Sequence, residues 1–121
     1  MMYFPKKSKV IRIDLLDLDI LLITSKNQLK EYIEKNKIPK SVVSLKMWTK
    51  FNGLAKWAEC GGVDFFFIII KEKQISTIVH ESSHISEYIM QCFAIKDDEV
   101  RAYLVGYITK VICRLLRIRG R

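Results

Sequence analysis

Histidine is nearly absent from this chain: two residues among 121, His80 and His84. Cysteine is sparse as well. Cys60, Cys92 and Cys113 are odd in number and widely spaced, with no C-x-x-C pair. That speaks against a disulfide framework, and buried free thiols in a reducing compartment are expected instead. Long apolar runs are missing too. Phe65 to Ile70 is continuously apolar, but a membrane span needs about twenty such residues. No export signal is expected, because Met1 to Lys9 is not followed by an uncharged apolar segment and a cleavage site. There is no phosphate-binding loop, internal repeat or low-complexity linker. A cytoplasmic location follows as the expectation.

What is present reads as one folded domain over residues 1–121. Half of the residues are apolar, enough for a modest core and too many for a disordered chain. Val10 to Ile13 and Asp19 to Thr24 read as strands. Ser25 to Lys35 reads as an amphipathic helix with Leu29, Tyr32 and Ile33 on one side, Ser25 as its cap and Ile38-Pro39 as its stop. Residues 40–50 fit either a strand or a short helix. Phe51 to Cys60 and Val63 to Ile70 read as two strands of a hairpin turned at Gly61-Gly62. The second strand is apolar throughout, so it belongs inside a sheet with helices covering it. The first carries Asn52, Lys56 and Glu59, which suits an edge. Helices are expected near 74–93 and 97–118. The fold class is therefore α+β, a small mixed sheet with an N-terminal backing helix and two further helices.

The two histidines fall in His80-Glu81-Ser82-Ser83-His84, an H-E-x-x-H pattern. Gln74 to Phe93 contains no Gly or Pro. Ile75, Ile78, Val79, Ile85, Ile89 and Phe93 recur at near-helical spacing, with Ser82 filling a gap. On a helix, positions i and i+4 share a face, so two imidazoles can hold one zinc ion, and the intervening Glu can act on a water at that ion. The plain alternative is two polar histidines on a surface helix. A catalytic zinc needs a third protein ligand. Lys96 to Tyr103 supplies Asp97, Asp98 and Glu99. Asp97 and Asp98 suit an N-cap and a first turn, where acids favour the helix dipole. Glu99 shares a face with Ala102, Tyr103 and Gly106. The small pair Ala102 and Gly106 lets that helix approach the histidine helix, so Glu99 is the preferred ligand and Asp98 its competitor. Cys92, two turns beyond His84, is a remote further candidate.

With Asp98-Glu99-Val100-Arg101-Ala102-Tyr103-Leu104-Val105-Gly106-Tyr107 following the H-E-x-x-H helix, residues 50–112 resemble the small phage- and prophage-encoded metallopeptidase-like proteins. More broadly, they are similar to the minimal gluzincins. The resemblance implies a zincin-like domain, a Zn2+ cofactor on His80, His84 and Glu99, and a peptide or protein substrate. The gap from His84 to Glu99 is shorter than in larger gluzincins, so a tight turn is expected at about Ala94 to Asp97. By the same resemblance, Asn52 to Ala58 is the edge strand that pairs with an extended peptide; an ordinary outer strand is the alternative. Glu81 is then the general base, and Tyr103 is the candidate to stabilise the oxyanion, although a core tyrosine is the preferred reading of that residue. A phage-encoded chain would work in the host cytoplasm or within a virion. A non-catalytic structural or interaction protein, with a phage or host partner, is the second function class.

Much of the net charge of +8 sits at the two ends: Lys6, Lys7, Lys9 and Arg12, then Lys110, Arg114, Arg117, Arg119 and Arg121. The last helix interleaves its cations with Val111, Ile112, Leu115, Leu116 and Ile118. That is a core-facing helix with a solvated basic face, or a contact for nucleic acid or an acidic protein surface. No nucleic-acid motif accompanies it.

Overall fold

The structure, a computed structural model, describes residues 3–118. Strand β1 (Lys9–Ile13) and strand β2 (Leu18–Ile23) pair antiparallel across a single 3-10 turn at Asp14–Leu16. Asp17 closes that turn in the left-handed region, with φ of 50°. The Arg12 guanidinium pairs with Asp14, Asp17 and Asp19, which gathers the acids of this turn around one cation. Helix α1 (Lys26–Lys35) follows, and the Ser25 hydroxyl accepts from the Gln28 N–H at 3.2 Å, the cap its sequence called for. The helix ends before Pro39 is reached. Lys37 takes φ of 52°, and the N–H groups of Lys37 and Ile38 turn back to Glu34 and Ile33. These two bonds form a Schellman stop.

Residues 40–50 resolve into turns and one short helix, α2 (Lys46–Lys50). Strand β3 (Gly53–Cys60) and strand β4 (Val63–Ile70) then form an antiparallel hairpin. Gly61 and Gly62 both have positive φ, 62° and 80°, the backbone that a two-residue hairpin of this twist requires. Strand order is β1-β2-β4-β3, with β2 and β4 parallel, so the sheet is mixed and β3 is an edge. Helix α3 (Ile75–Cys92) and helix α4 (Asp98–Leu115) complete the chain.

Strand alternation divides the core in two. Ile20, Leu22, Phe66, Ile68 and Ile70 point to one face, where Ile78, Ile85 and Ile89 of α3 and Leu104, Ile108 and Ile112 of α4 meet them. Leu21, Ile23, Phe65, Phe67 and Ile69 point to the other, against Leu29 and Tyr32 of α1 and Val43. Period-two alternation inside an all-apolar strand therefore covers both faces at once. Fully burying one such side chain is worth about 1.5–3 kcal/mol. Tyr32 and Phe67 meet edge to face, with centroids 5.6 Å apart. Burial pushes the Tyr32 phenol far above its ordinary pKa. The domain is thus a small α+β unit, a four-stranded mixed sheet with helices on both faces. Among the described residues, no helix is long and apolar enough to cross a membrane.

One expectation needs correction in detail, on α3, and one agrees with the structure, on α4. On α3, Ile75, Val79 and Phe93 are exposed, and the buried side is completed by Glu81, Ser82, Ser86 and Met90. A near-helical apolar stripe drifted around the cylinder, and the true sheet-facing side includes polar residues. On α4, Lys110, Arg114 and Arg117 are exposed while Ile112 and Leu116 are buried, so the basic face is solvated. Arg119 and Arg121 lie outside the described residues.

Candidate functional site

Helix α3 holds both histidines on its outer side. His80 Nε2 and His84 Nε2 face each other at 3.0 Å, with the rings crossing at 81°. One turn further on, Tyr88 lies near-parallel to His84 at 6.5 Å between centroids. Two nitrogens bound tetrahedrally to one zinc at about 2.05 Å stand roughly 3.3 Å apart. The two nitrogens are therefore close to the separation that a shared cation requires. The same separation fits one imidazole N–H donating to the other ring, since a neutral imidazole has one donor and one acceptor.

Glu81, between them in sequence, is directed inward toward the sheet edge. It is only 7 % exposed, and its side chain sits against Gly53 at the start of β3. A Cβ at Gly53 would lie 2.6 Å from Thr77 Cγ2, 3.0 Å from Glu81 Cγ and 3.3 Å from Glu81 Oε2. Only glycine allows strand and helix to come this close. His80, Glu81 and Thr77 line a shallow open groove with Lys50, Asn52 and Gly53, about 480 Å³ in volume. The Glu81 carboxylate makes no hydrogen bond among the described residues and opens on this groove.

The remaining candidates lie elsewhere. Asp97 caps α4, accepting from the Glu99 N–H at 2.9 Å, as an N-cap acid should. Asp98 lies at the α3–α4 turn with Glu87, Gln91 and Ala94. Glu99 is exposed in the first turn of α4. The two helices are antiparallel, and Arg101 pairs with Glu87 at 3.0 Å. That register sets Glu99 about five residues, or roughly 7–8 Å of helix rise, beyond His84. The cause is the length of α3, which runs two turns past His84 before it stops. Among the described residues, no group of three His, Cys, Asp or Glu side chains is placed to hold a metal ion. The structure thus brings His80, His84 and Glu81 together on one turn and leaves Glu99 and Asp98 outside the cluster. Tyr103 is 62 % exposed, stacked on Tyr107 at 6.1 Å, and does not line the groove. Tyr107 donates its hydroxyl to the Arg12 carbonyl. Cys92 meets Asp64 at 3.8 Å, and burial, then that carboxylate, raises its thiol pKa.

Thr77 and Lys50 were not expected from the sequence as part of the site, and Gly53 only as one residue of the edge strand Asn52 to Ala58. A signal was there for Gly53: a glycine inside a strand pattern marks a close backbone approach. Nothing local marks Thr77 or Lys50. Searches of protein families, curated proteins and solved structures find no match to this chain.

Proposed function

We propose that the α3 site is a zinc hydrolase centre that cleaves peptide bonds, with His80 and His84 as metal ligands and Glu81 as general base. The observation that carries this reading is the convergence of both Nε2 atoms at 3.0 Å beside a buried carboxylate that opens on a groove. The donors fit two of the ligand places. Glu99 is assigned the third, because it stands one residue nearer the pair than Asp98 and its side chain is longer, while the Asp97 carboxylate is engaged in the cap. Glu99 stands short of the pair, so this assignment entails a shift of the first turn of α4 toward His84.

Zinc, when bound, supplies a Lewis acid that brings the pKa of water toward neutrality. Glu81 takes the proton as water attacks the scissile carbonyl and returns it to the leaving amine. Its low exposure limits competition from bulk solvent. The edge of β3 offers unpaired main-chain groups to an extended peptide, which would lay a carbonyl over the groove. The test compares wild type with Glu81→Gln for zinc content and for cleavage of a peptide library. Zinc should persist in the variant while cleavage falls on the order of a hundredfold or more. Equal cleavage by both proteins would refute the assignment of Glu81.

A second reading is favoured by one observation, the missing third ligand among the described residues. In it, the domain is a non-catalytic interaction protein and the imidazole pair is a surface hydrogen bond. Wild type that takes up no zinc and cleaves no peptide would establish it over the first.

A further inference from the structure

Seven lysines lie between residues 26 and 50: Lys26, Lys30, Lys35, Lys37, Lys40, Lys46 and Lys50. The only acids in that stretch are Glu31 and Glu34, and it has no arginine, so it carries +5 of the formal +8. All seven lysines are exposed. Among the described residues, the ion pairs belong to Arg12 and Arg101, and none involves these lysines. The stretch is α1, α2 and the segment between them, packed on the sheet face opposite α3 and α4, except that Lys50 at the end of α2 reaches the groove beside His80 and Glu81. Unpaired like charge on one face raises self-repulsion, which a partner of opposite charge relieves.

The patch has a centre. Between α1 and residues 40–46 runs a cleft of about 350 Å³. Ile33, Val43 and Leu45 form its largely apolar floor; Lys30, Lys40 and Lys46 line it together with Ser44 and one acid, Glu34, so the lining carries a net charge of +2. We infer that this face docks an acidic protein segment, with one large apolar side chain in the cleft and flanking carboxylates on Lys30, Lys40 and Lys46. Charge complementarity selects an anion, and the floor selects its kind. A single-stranded nucleic acid binds through aromatic platforms on which its bases stack, and arginine forks suit phosphate. No aromatic residue lines this cleft, and the nearby Trp48 ring is covered by Lys71 at 5.4 Å. Lysines act as separate point charges, which suits carboxylates spread along a peptide. The cleft is at the small end of the range for ligand sites, with room for one or two large side chains and not for a folded element. This docking needs neither zinc nor Glu81, so it stands or falls apart from the hydrolase reading.

The probe is a fluorescein-labelled synthetic peptide in which a leucine–phenylalanine pair is flanked on each side by three glutamates. Its fluorescence anisotropy is followed against the full chain at low salt and at about 0.15 M salt. Saturable binding is expected, weakened by salt. The K30E/K40E/K46E variant should weaken it about tenfold or more, since opposed like charges are costly. Replacing the leucine–phenylalanine pair with serines should weaken it similarly. Lys110→Glu, on α4, changes the net charge on the other face of the sheet and should leave binding close to wild type. All the substituted lysines are exposed, and a thermal melt of each variant verifies its fold. Absence of saturable binding, full binding by the triple variant, or indifference to the serine replacement each overturns the proposal. Tighter binding of a single-stranded oligonucleotide of equal charge overturns it in favour of nucleic acid.

Discussion

Ser82 and Gly53 show how two side-chain-scale details set the site. Three serines stand close together on α3, and two find partners. Ser83 donates to the Val79 carbonyl at 3.0 Å and Ser86 to the Ser82 carbonyl at 2.7 Å. The Ser82 hydroxyl is fully buried and has no partner. An unsatisfied buried hydroxyl carries a desolvation penalty with no bond to offset it. Ser82→Ala should therefore leave stability unchanged or raise it by on the order of 1 kcal/mol, read in a denaturant melt. A loss larger than that would show that the hydroxyl has a partner, such as a buried water. Gly53 makes the opposite prediction. Its missing Cβ is what admits Thr77 and Glu81. Gly53→Ala should cost about 1–3 kcal/mol, as overpacking does. On the hydrolase reading it should also depress cleavage more than zinc binding, because it displaces the base and spares the histidines. Unaltered stability would mean that β3 moves away from α3 easily.

At the scale of elements, three helices stop in the same way without the residue that normally makes the stop. Lys37, Ala94 and Arg117 follow α1, α3 and α4 with φ of 52°, 54° and 56°. After α3 the bonds are Ala94 N–H to Gln91 at 3.3 Å and Ile95 N–H to Met90 at 2.8 Å. A left-handed conformation costs a residue with a Cβ about 1–2 kcal/mol, and glycine avoids that cost while losing more entropy on folding. Ala94→Gly should gain up to about 1 kcal/mol and raise the melting temperature by a few degrees. A drop in melting temperature would show that the methyl group is needed in the turn. These stops also explain what the sequence hid. The apolar spacing of 74–93, the Gly61-Gly62 pair and the Ser25 cap were legible because each is a local signal with one meaning. The stop at Lys37 was not, since lysine announces no turn and Pro39 two residues on is the stronger local signal. The end of α3 at Cys92 and the turn at Ala94 agree with the helix expected over 74–93 and the tight turn expected at about Ala94 to Asp97. Residues 40–50 have weak periodicity, and their shape is settled by covering Phe67 and Ile69 rather than by local preference.

Across the whole molecule, the sheet separates two surfaces: the imidazole pair and Glu81 on the α3 side, and the lysine-rimmed cleft on the α1 side. The first was legible from five residues, because H-E-x-x-H needs only a helix to bring its side chains together. The second was harder to see, because the cations at the chain ends stand in clusters while the seven lysines of the interval 26–50 are spaced out and gather only once α1 and residues 40–46 pack together. The third ligand was the hardest to judge, because its place depends on how α4 slides along α3, a tertiary quantity. It also decides how zinc couples to the fold. A ligand that binds only the native state stabilises it by about 2.7 kcal/mol at a hundred times its Kd. If His80 and His84 alone hold the ion, new protection from amide hydrogen exchange is confined to α3. If Glu99 joins them, the metal ties α3 to α4, and protection rises in the first turns of α4 as well. The proposed site predicts the second pattern, with slowed exchange at residues 98–103 on adding zinc and reversal by a chelator. Glu99→Gln should abolish the α4 response and weaken zinc binding, while Asp98→Asn should preserve both. Slowed exchange limited to α3 in wild type would remove Glu99 from the ligand set, and an unchanged pattern throughout would remove the metal.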